Sequence, residues 1–559
     1  MRKTKNKILI ASCIILGLPV ALAVILFTIG VYLYFTADFM QPEVAPDMTR
    51  YELKESTDSV KVCDYGSLYL NKAGLWEAKL HGSPIDRGAA YGVMSKELLD
   101  YQESVFVDQI HKIISSERWV GFLHKLIIIF NRNMARHIPL ENREEIYAMS
   151  LSCTEKYDAY GSKYARQLNY HAAHDIGHAM QQYMLVGCSS FATWGNESEN
   201  GELIIGRNFD FFVGDDFAKN KVILFIEPTQ GYNFVSVSWP GMLGVLSGMN
   251  EKGLTVTINA AKGPIPLSSA MPISLLARRI LQYASDISEA YEIAGKFETF
   301  VSESLLIGSA KDGCAAIIEK TPDRMALYKS PSTRIVCTNH YQSSSFASDK
   351  YHLQNIGTSD SPYRWDRLNE LLDKSSPIGP TDAVNILRNR YGKGDKDIGI
   401  CNEKSINQYI AHHSVVFQPN ELRMWVSTSP WQLGQFICYD LDEIFGIDHC
   451  AASFAIDSLC IGADSNQLGK EYVQAIRYRA QYVLLQKAIE NHSHVPDSVI
   501  QDFINNNPDY FQVYNISGDY MINIGDKEGA LKYYEKALSL EIPRLEEREQ
   551  IIKKLKKYD

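Results

Sequence analysis

Apolar and polar residues alternate through much of the middle of the chain, with the period of two that is typical of strands. Apolar residues at helical spacing predict a helix over 273–297. Two antiparallel sheets with helices on their outer faces fit this order, so we expect an α+β fold. The predicted strands cover residues 75–82, 203–206, 222–226, 234–239, 304–308, 315–319, 325–329, 334–338, 414–417 and 422–427, with a hairpin over 245–260.

The N-terminal region has a different pattern. Four basic residues lie among the first seven, and residues 8–35 contain no charged residue over 28 positions. This length predicts a transmembrane helix, and the basic residues before it favour a cytoplasmic N-terminus. We expect residues 1–37 to be a cytoplasmic stub and a single-pass signal anchor in the lipid bilayer. A linker over 38–74 and an extracytoplasmic (periplasmic or extracellular) body would follow. The alternative is a lipoprotein signal that ends at Cys13.

Composition narrows the functional classes. The 559 residues are 45% hydrophobic and 22% charged, which is enough for two or more globular domains. The net charge is −10, and aromatic residues are not interleaved with clusters of lysine and arginine, which argues against nucleic-acid binding. The ten cysteines show no Cys-x-x-Cys pair or other zinc-like spacing.

The C-terminal region, over residues 465–559, is predicted to be helical. Residues 507–543 resemble one tetratricopeptide helix pair, with small and aromatic residues at the matching positions. A single unit of this type cannot bury its apolar face without neighbours, so we expect it to pack on flanking helices or on the main domain. Binding of a protein partner by these helices is the alternative interpretation.

A candidate nucleophile lies just before the strand-rich part of the chain. Gly187 precedes Cys188, and Arg207 and Asp210 follow with Arg-x-x-Asp spacing. If the bond between Gly187 and Cys188 breaks, the thiol gains an adjacent α-amino group, which titrates near ~7.7 to 8.0 and can accept the thiol proton. The alternatives are a buried structural thiol and a surface ion pair. Asn259 lies in a strand-like run, where asparagine is disfavoured, which suggests a site.

These motifs resemble the autoproteolytic acyltransferase and amide-hydrolase branch of the N-terminal nucleophile hydrolases. That branch includes the penicillin acyltransferase group (peptidase C45), with choloylglycine hydrolases and acid ceramidase as relatives. The resemblance covers about residues 75–441 and implies a four-layer αββα sandwich, which we assign to residues 75–464. It also implies self-cleavage between residues 187 and 188, after which the two fragments would remain associated.

The resemblance implies a role for each candidate residue. Cys188 would be the nucleophile and its own α-amino group the base. Asp210 would orient that amine, and the guanidinium of Arg207 would favour the thiolate. Neither a cofactor nor a metal is implied. The remaining matches are Asn259 and Asn339, as contributors to the oxyanion hole, and Arg364, as a supporting cation for which Arg367 is the alternative.

Several histidines have open roles. His171, His174 and His178 lie at helical spacing on one face of a predicted helix. Three such residues can bind zinc, but one helix rarely presents three ligands around a tetrahedral ion, so we expect packing instead. His340 follows Asn339 and is either a packing or a substrate-contact residue. The pair at 412 and 413 is expected in a strand and in the core.

The predicted function is a self-processing cysteine amidohydrolase or acyltransferase. It would act on the C–N amide bond of an N-acylated small molecule through a thioester on Cys188. Hydrolysis is preferred over acyl transfer, because nothing in the sequence identifies an acyl-CoA site. Two alternatives remain: a lipid-amide or bile-salt amidase of the same fold, and a non-enzymatic interaction protein that binds partners through its tetratricopeptide-like helices.

Overall fold

Two β-sheets pack face to face in the centre of the computed structural model, which describes residues 20–44, 46–114, 116–179, 185–447 and 453–558. Helices cover the outer face of each sheet. The molecule is therefore an αββα sandwich, and the expected α+β fold is confirmed. The strands are β1 (Glu55–Ser56), β2 (Val60–Cys63), β3 (Gly66–Leu70), β4 (Trp76–Gly82), β5 (Leu185–Thr193), β6 (Ile204–Phe212), β7 (Val222–Pro228), β8 (Phe234–Ser238), β9 (Ser247–Asn250), β10 (Leu254–Ala260), β11 (Glu303–Ser309), β12 (Cys314–Lys320), β13 (Met325–Lys329), β14 (Arg334–Cys337), β15 (Ala411–Gln418), β16 (Arg423–Ser427) and β17 (Phe436–Asp440).

The larger sheet has eleven strands in the described residues, in the order β1-β2-β3-β4-β7-β8-β9-β10-β11-β12-β13. The smaller sheet has six, in the order β14-β5-β6-β15-β16-β17. Neighbouring strands in the described part are antiparallel except for β4 and β7, which are parallel. The strands β1 to β3 lie within the segment 38–74, so this segment contributes one edge of the larger sheet.

The helices are named in the same way. They are α1 (20–35), α2 (Pro84–Met94), α3 (Lys96–Ile113), α4 (Glu117–Asn131), α5 (Met134–His137), α6 (Leu140–Ser150), α7 (Lys163–His171), α8 (Ala173–Ala179), α9 (Ile273–Tyr283), α10 (Ile287–Lys296), α11 (Lys350–Thr358), α12 (Ser361–Ser375), α13 (Pro380–Leu387), α14 (Leu441–Phe445), α15 (Tyr472–Glu490), α16 (Asp497–Asn506), α17 (Phe511–Ile524), α18 (Lys527–Leu538) and α19 (Leu545–Tyr558).

Three apolar cores hold the layers together. Between the sheets, alternate residues of facing strands interlock, among them Ile205 and Phe417 from the smaller sheet and Phe225 from the larger one. Helices α2, α6, α9 and α10 pack on the outer face of the larger sheet. Helices α12 and α13 pack on the outer face of the smaller sheet, where Leu368 and Val384 are fully buried. The candidate nucleophile therefore lies in a layer that is covered on both faces.

The C-terminal helices share a separate apolar core and contact the sandwich through a loop. Their core includes Phe503, Tyr520 and Tyr534. Ile400 N–H donates to Asn507 Oδ1 at 2.9 Å, and Asn507 Nδ2 donates to the Ile400 carbonyl oxygen at 2.8 Å. The helix pair α17 and α18 thus packs on flanking helices, and Asn507, at the end of α16, binds the main domain.

The expected transmembrane helix is a part of the predicted fold that the structure contradicts. Among the residues described, no helix combines the length and the apolar composition needed to cross a bilayer. The predicted single-pass anchor, its bilayer contact and the localisation derived from it were therefore wrong. The alternative at Cys13 lies outside the described residues.

Candidate active site

Cys188 lies inside a paired strand of the smaller sheet. In the register of β5 and β6, Cys188 is opposite Phe209 and Ser190 is opposite Arg207. Because residues two apart on a strand share a face, Cys188 and Arg207 point to the same side of the sheet. The thiol is fully buried, and Arg207 Nη2 lies 3.6 Å from Cys188 Sγ. The predicted pairing of a thiol with a guanidinium is therefore present in three dimensions.

Arg207 is held by several further contacts. Its guanidinium carbon lies 4.3 Å from the centre of the Phe209 ring. Nη2 donates to the Ile258 carbonyl oxygen at 2.5 Å, and Nη1 donates to Ser247 Oγ. Burial raises the pKa of the Cys188 thiol, and the charge of Arg207 opposes that rise. In the uncleaved chain the thiol is thus protonated at neutral pH, with a cation fixed beside it.

Two neighbouring histidines of β15 extend the network around Arg207. His413 Nε2 lies 3.4 Å from Arg207 Nη1 and 2.8 Å from Ser247 Oγ. A guanidinium can only donate, so His413 Nε2 is an acceptor and its proton is on Nδ1. That nitrogen lies 2.9 Å from His412 Nδ1, which accepts this proton in a hydrogen bond. Burial lowers the pKa of both histidines well below the usual range, so both are neutral.

Asp210 lies on the other face of the sheet from Cys188 and Arg207. It is opposite Gly187 in the register of β5 and β6, and a spacing of three on a strand puts Arg207 and Asp210 on opposite faces. The carboxyl group is buried, and neither oxygen has a hydrogen-bond partner among the described residues. Burial raises the pKa of Asp210 to about 7, against the opposing charges of Arg364 and Arg207.

Gln408 packs against Gly187 on the face that Asp210 occupies. A Cβ atom added to Gly187 would lie 3.0 Å from Gln408 Nε2. Gln408 is buried, and its Nε2 has no hydrogen-bond partner in the part of the chain that the structure describes. Asp210 and Gln408 therefore both present uncommitted polar groups close to Gly187. Sequence reasoning missed Gln408, because no local pattern distinguishes it from other glutamines.

Asn339 and Arg364 contact the backbone of Cys188. The Cys188 N–H donates to Asn339 Oδ1 at 3.0 Å, and Arg364 Nη1 donates to the Cys188 carbonyl oxygen at 2.7 Å. Arg364 Nη2 also donates to Asn339 Oδ1 at 2.7 Å, while Arg364 Nε pairs with Asp360 at 2.7 Å. Asn339 Nδ2 donates to the Ala260 carbonyl oxygen at 2.8 Å. In this state Asn339 accepts from the Cys188 nitrogen and directs its own amide N–H elsewhere.

Asn259 lies one step further from the nucleophile. Its Oδ1 accepts from Ser190 Oγ at 2.9 Å, and its Nδ2 donates to the Cys337 carbonyl oxygen at 2.9 Å. It therefore ties β10 of the larger sheet to β5 and β14 of the smaller one. A third hydrogen bond runs from Asn259 Nδ2 to the Thr338 carbonyl oxygen at 3.3 Å. These three hydrogen bonds compensate for the unfavourable position of an asparagine inside a strand.

The other predicted residues lie apart from this group. Arg367 pairs with Glu370 at 2.9 Å and with Asp395 at 2.6 Å, so it has a local structural role. His340 Nδ1 lies 2.8 Å from Ser361 Oγ, and burial lowers its pKa to about 4. His171 uses both ring nitrogens in contacts with backbone groups, 2.7 Å from the Gln167 oxygen and 3.0 Å from the Leu243 nitrogen. The side chain of His178 lies outside the described part.

Residues 196–429 match the sequence model of the family described as acyl-coenzyme A:6-aminopenicillanic acid acyl-transferase. The predicted resemblance is confirmed. This acyltransferase-like segment begins after Cys188 and includes the five other predicted site residues, which are Arg207, Asp210, Asn259, Asn339 and Arg364.

Two curated proteins are similar to the chain beyond the acyltransferase-like segment. An uncharacterized protein of Archaeoglobus fulgidus is 23% identical over 398 residues, which is 64% of this chain and 65% of that protein. Protein dcd1B of Dictyostelium discoideum is 23% identical over 268 residues, which is 44% of this chain and 51% of that protein. The chain thus spans less than two thirds of the length of either relative.

Solved structures resemble parts of the chain at low identity. The N-acylethanolamine-hydrolyzing acid amidase ortholog of Caenorhabditis elegans is 15% identical with a TM-score of 0.32, and the match covers 42% of this chain and 93% of that one. A mutant of conjugated bile acid hydrolase from Clostridium perfringens is 14% identical with a TM-score of 0.31, and the match covers 46% and 93% respectively.

Proposed function

We propose that this protein is a self-processing cysteine amidase or acyltransferase that acts on the amide bond of a small N-acylated molecule. The observation that carries the proposal is the environment of Cys188. Its Sγ lies 3.6 Å from Arg207 Nη2, and its backbone N–H donates to Asn339 Oδ1 at 3.0 Å. A cation near the thiol and a polar partner on the adjacent amide nitrogen favour an acyl shift from nitrogen to sulfur. The acyltransferase-like segment supports the same class of reaction.

The self-cleavage step uses two adjacent residues. Cys188 Sγ attacks the carbonyl carbon of Gly187, so that a C–S bond forms as the C–N bond breaks. The thiol proton is transferred to the departing nitrogen. Water then hydrolyses the thioester, which leaves a carboxylate on Gly187 and both a free α-amino group and a thiol on Cys188. Because nucleophile and carbonyl are held in one strand, the reaction is intramolecular and gains from proximity.

In turnover, the new α-amino group would act as the base. It titrates near ~7.7 to 8.0 and can accept the thiol proton. Asp210, which is opposite Gly187 and has no hydrogen-bond partner among the described residues, would bind the ammonium form. The thiolate attacks the substrate carbonyl, the amine product leaves with the proton, and water or an acceptor amine releases the acyl group from the thioester.

Asn339 would exchange hydrogen-bond partners after cleavage. In the uncleaved chain, Asn339 Oδ1 accepts from the Cys188 N–H and from Arg364, at 3.0 and 2.7 Å. Scission converts that amide N–H into an amine that can turn away, which frees Asn339 to direct its own N–H at the oxyanion of the substrate. Removal of one such donor costs about 10²- to 10³-fold in kcat at comparable sites. Asn259 would hold the neighbouring strand in position.

An aromatic cluster beside the thiol favours an apolar acyl group. Phe209 shares the face of Cys188 and stacks with Phe211 and Trp239, at 5.6 and 6.5 Å between ring centres. Apolar and aromatic walls are typical of pockets that bind acyl chains, with a few polar groups that fix orientation. A lipid amide and a bile-salt amide both satisfy this description, so the acyl group is the first variable to test.

Fragment analysis tests the proposal directly. The purified chain is incubated, separated on a denaturing gel, and its fragments are sequenced from their N-termini. We expect a fragment that begins at Cys188 in the wild type and an intact chain in Cys188→Ala. The mature protein is then assayed against N-acyl amides that differ in acyl length and amine. An uncleaved wild-type chain that hydrolyses none of these amides would show that the proposal is wrong.

A further inference from the structure

Three buried side chains that the proposed chemistry does not use form a compact cluster. His174 and Asp175 lie on α8, and Glu303 is the first residue of β11. One ligand atom from each of the three lies within 4.8 Å of the others, and all three side chains are buried, at 1%, 0% and 0% exposure. One imidazole and two carboxyl groups are a donor set that binds divalent metal ions.

The imidazole of His174 has an uncommitted nitrogen. Its Nδ1 lies 3.1 Å from Asp175 Oδ1, and its ring lies 5.7 and 5.6 Å from the rings of Phe209 and Phe211. Its Nε2 has no hydrogen-bond partner among the described residues. A buried polar atom without a partner is costly and calls for a ligand, since most such atoms in folded proteins are satisfied.

The carboxyl group of Asp175 is fixed from the other side. Its Oδ2 accepts from the Ile273 N–H at 2.8 Å, which is the first N–H of α9, and its Oδ1 remains directed at His174. A ligating carboxylate that is hydrogen-bonded by the protein in this way is pre-oriented for a metal. Within the part of the chain that the structure describes, the cluster therefore contains one oriented carboxylate and one ring nitrogen without a hydrogen-bond partner.

We infer that His174, Asp175 and Glu303 bind one divalent cation of the zinc or manganese type. Ligand atoms at about 2.1 Å from one ion lie within about 4.2 Å of each other, and the three ligand atoms lie within 4.8 Å of each other, so a small closing movement of the side chains would accommodate the ion. From the sequence we expected His171, His174 and His178 to serve packing and not to share a metal ion. The structure separates His171 from the cluster and brings Glu303 to His174 instead.

The bound cation would link two parts of the chain across the cleavage point. His174 and Asp175 precede the Gly187–Cys188 bond, and Glu303 follows it. If the proposed self-cleavage occurs, the ion would hold the two fragments together through ligands from each. This bridging role rests on the proposed function, whereas the binding of the ion by the intact chain does not.

Metal content and affinity test the inference on the full-length protein. The purified wild type is analysed for bound metals, stripped with a chelator, and titrated with zinc chloride and with manganese chloride by calorimetry. We expect one ion per chain, and a more than about tenfold loss of affinity in His174→Phe and in Glu303→Gln. Glu319→Gln is the matched control, because Glu319 is a buried carboxyl group on β12 that binds Ser343 instead. Its affinity should match that of the wild type.

The outcomes test two claims, which are that the intact chain binds the ion and that the ion links the two fragments after cleavage. A stripped wild type that binds neither ion, or variants that bind as tightly as the wild type, would overturn the metal site. Circular dichroism shows whether a variant has lost affinity because it is unfolded. In that case the titration of the wild type alone decides whether the site binds an ion. For the cleaved protein, the two fragments also share the larger sheet through β4 and β7, so we expect the chelator to lower the denaturant concentration at which they separate on size-exclusion chromatography. An intact chain that binds one ion would leave the site in place and refute only the self-cleavage.

Discussion

Asp210 lies directly across from Gly187 in adjacent strands, and both oxygens of its carboxyl group are without a hydrogen-bond partner among the described residues. Burial raises the pKa of this group to about 7. A buried, unsatisfied carboxyl group destabilises the uncleaved chain, and it lies where an ammonium group would appear if the Gly187–Cys188 bond breaks. The proposed cleavage would therefore give the Asp210 carboxyl group a charged partner that it lacks among the described residues of the uncleaved chain.

Removal of the Asp210 carboxylate is expected to change how stability depends on pH. The native pKa of about 7 exceeds the ordinary value of 3.8, so the native state binds this proton more tightly than the unfolded chain does. The free energy of unfolding should therefore fall as pH rises from about 4 to about 7. In a Cys188→Ala background, Asp210→Asn should remove this slope. Denaturant unfolding at several pH values measures it, and parallel curves for both proteins would contradict the assignment.

Replacement of Arg207 by lysine is expected to slow processing strongly. A lysine retains the charge, but it cannot stack on Phe209 and donate to both Ser247 and Ile258. We expect the cleavage rate to fall by about 10²-fold, with its pH dependence displaced upward because the thiol pKa is no longer lowered as effectively. Time courses on denaturing gels measure the rate. Arg279→Lys is the control, because Arg279 pairs with Glu141 at the surface, and equal rates for both variants would contradict this role.

Two substitutions of His413 test the hydrogen bonds around Arg207. His413 Nε2 must accept from Arg207 and Ser247, so the required property is an acceptor at that position. His413→Gln can supply an acceptor, whereas His413→Leu cannot. We expect the leucine variant to lose cleavage rate and to shift its pH profile, and the glutamine variant to recover part of both. If the two variants behave alike while circular dichroism shows them folded, the histidine serves packing alone.

A methyl group at residue 187 is expected to disturb cleavage through Gln408. The added Cβ would lie 3.0 Å from Gln408 Nε2, which is closer than an ordinary van der Waals contact. Gly187→Ala should therefore reduce the cleavage rate severalfold while the chain still folds. Gly187→Ala combined with Gln408→Ala should recover much of it, because the contact is relieved. Rates from a double-mutant cycle measure the coupling, and strictly additive effects would show that the two residues act independently.

The contact between the C-terminal helices and the sandwich should contribute to stability. Asn507 binds both the N–H and the carbonyl oxygen of Ile400, and it is buried. Asn507→Ala leaves both backbone groups unpaired, so we expect a destabilisation of about 2 to 4 kcal/mol. The change in the midpoint of thermal unfolding measures it. The exposed Asn491 supplies a control, and Asn491→Ala should leave the midpoint within experimental error of the wild type.

Much of the strand pattern was predictable because apolar alternation is a local property of the sequence. The hairpin over 245–260 forms as β9 and β10. The single helix expected over 273–297 is instead two helices, because the Asp286 side chain accepts from the Glu289 N–H and begins a second helix. This Asp-x-x-Glu cap was visible in the sequence. The predicted membrane helix was wrong, because no helix among the described residues is long and apolar enough to cross a bilayer.

The site was predictable only where its residues are close in sequence or part of a strand register. The odd spacing of Arg207 and Asp210 on a strand already requires that they face opposite sides, which separates the thiol partner from the amine partner. The contacts of His413 with Ser247 and of Gln408 with Gly187 connect residues that are far apart in the chain. No local pattern encodes such contacts, since they depend on how the two sheets pack.

The burial of the Gly187–Cys188 bond within a paired strand also determines how its cleavage must be observed. Gly187 and Cys188 are both buried in a paired strand of the folded chain, so we expect an external protease not to cut this bond. A cut at this bond would follow first-order kinetics whose half-time is the same at every protein concentration.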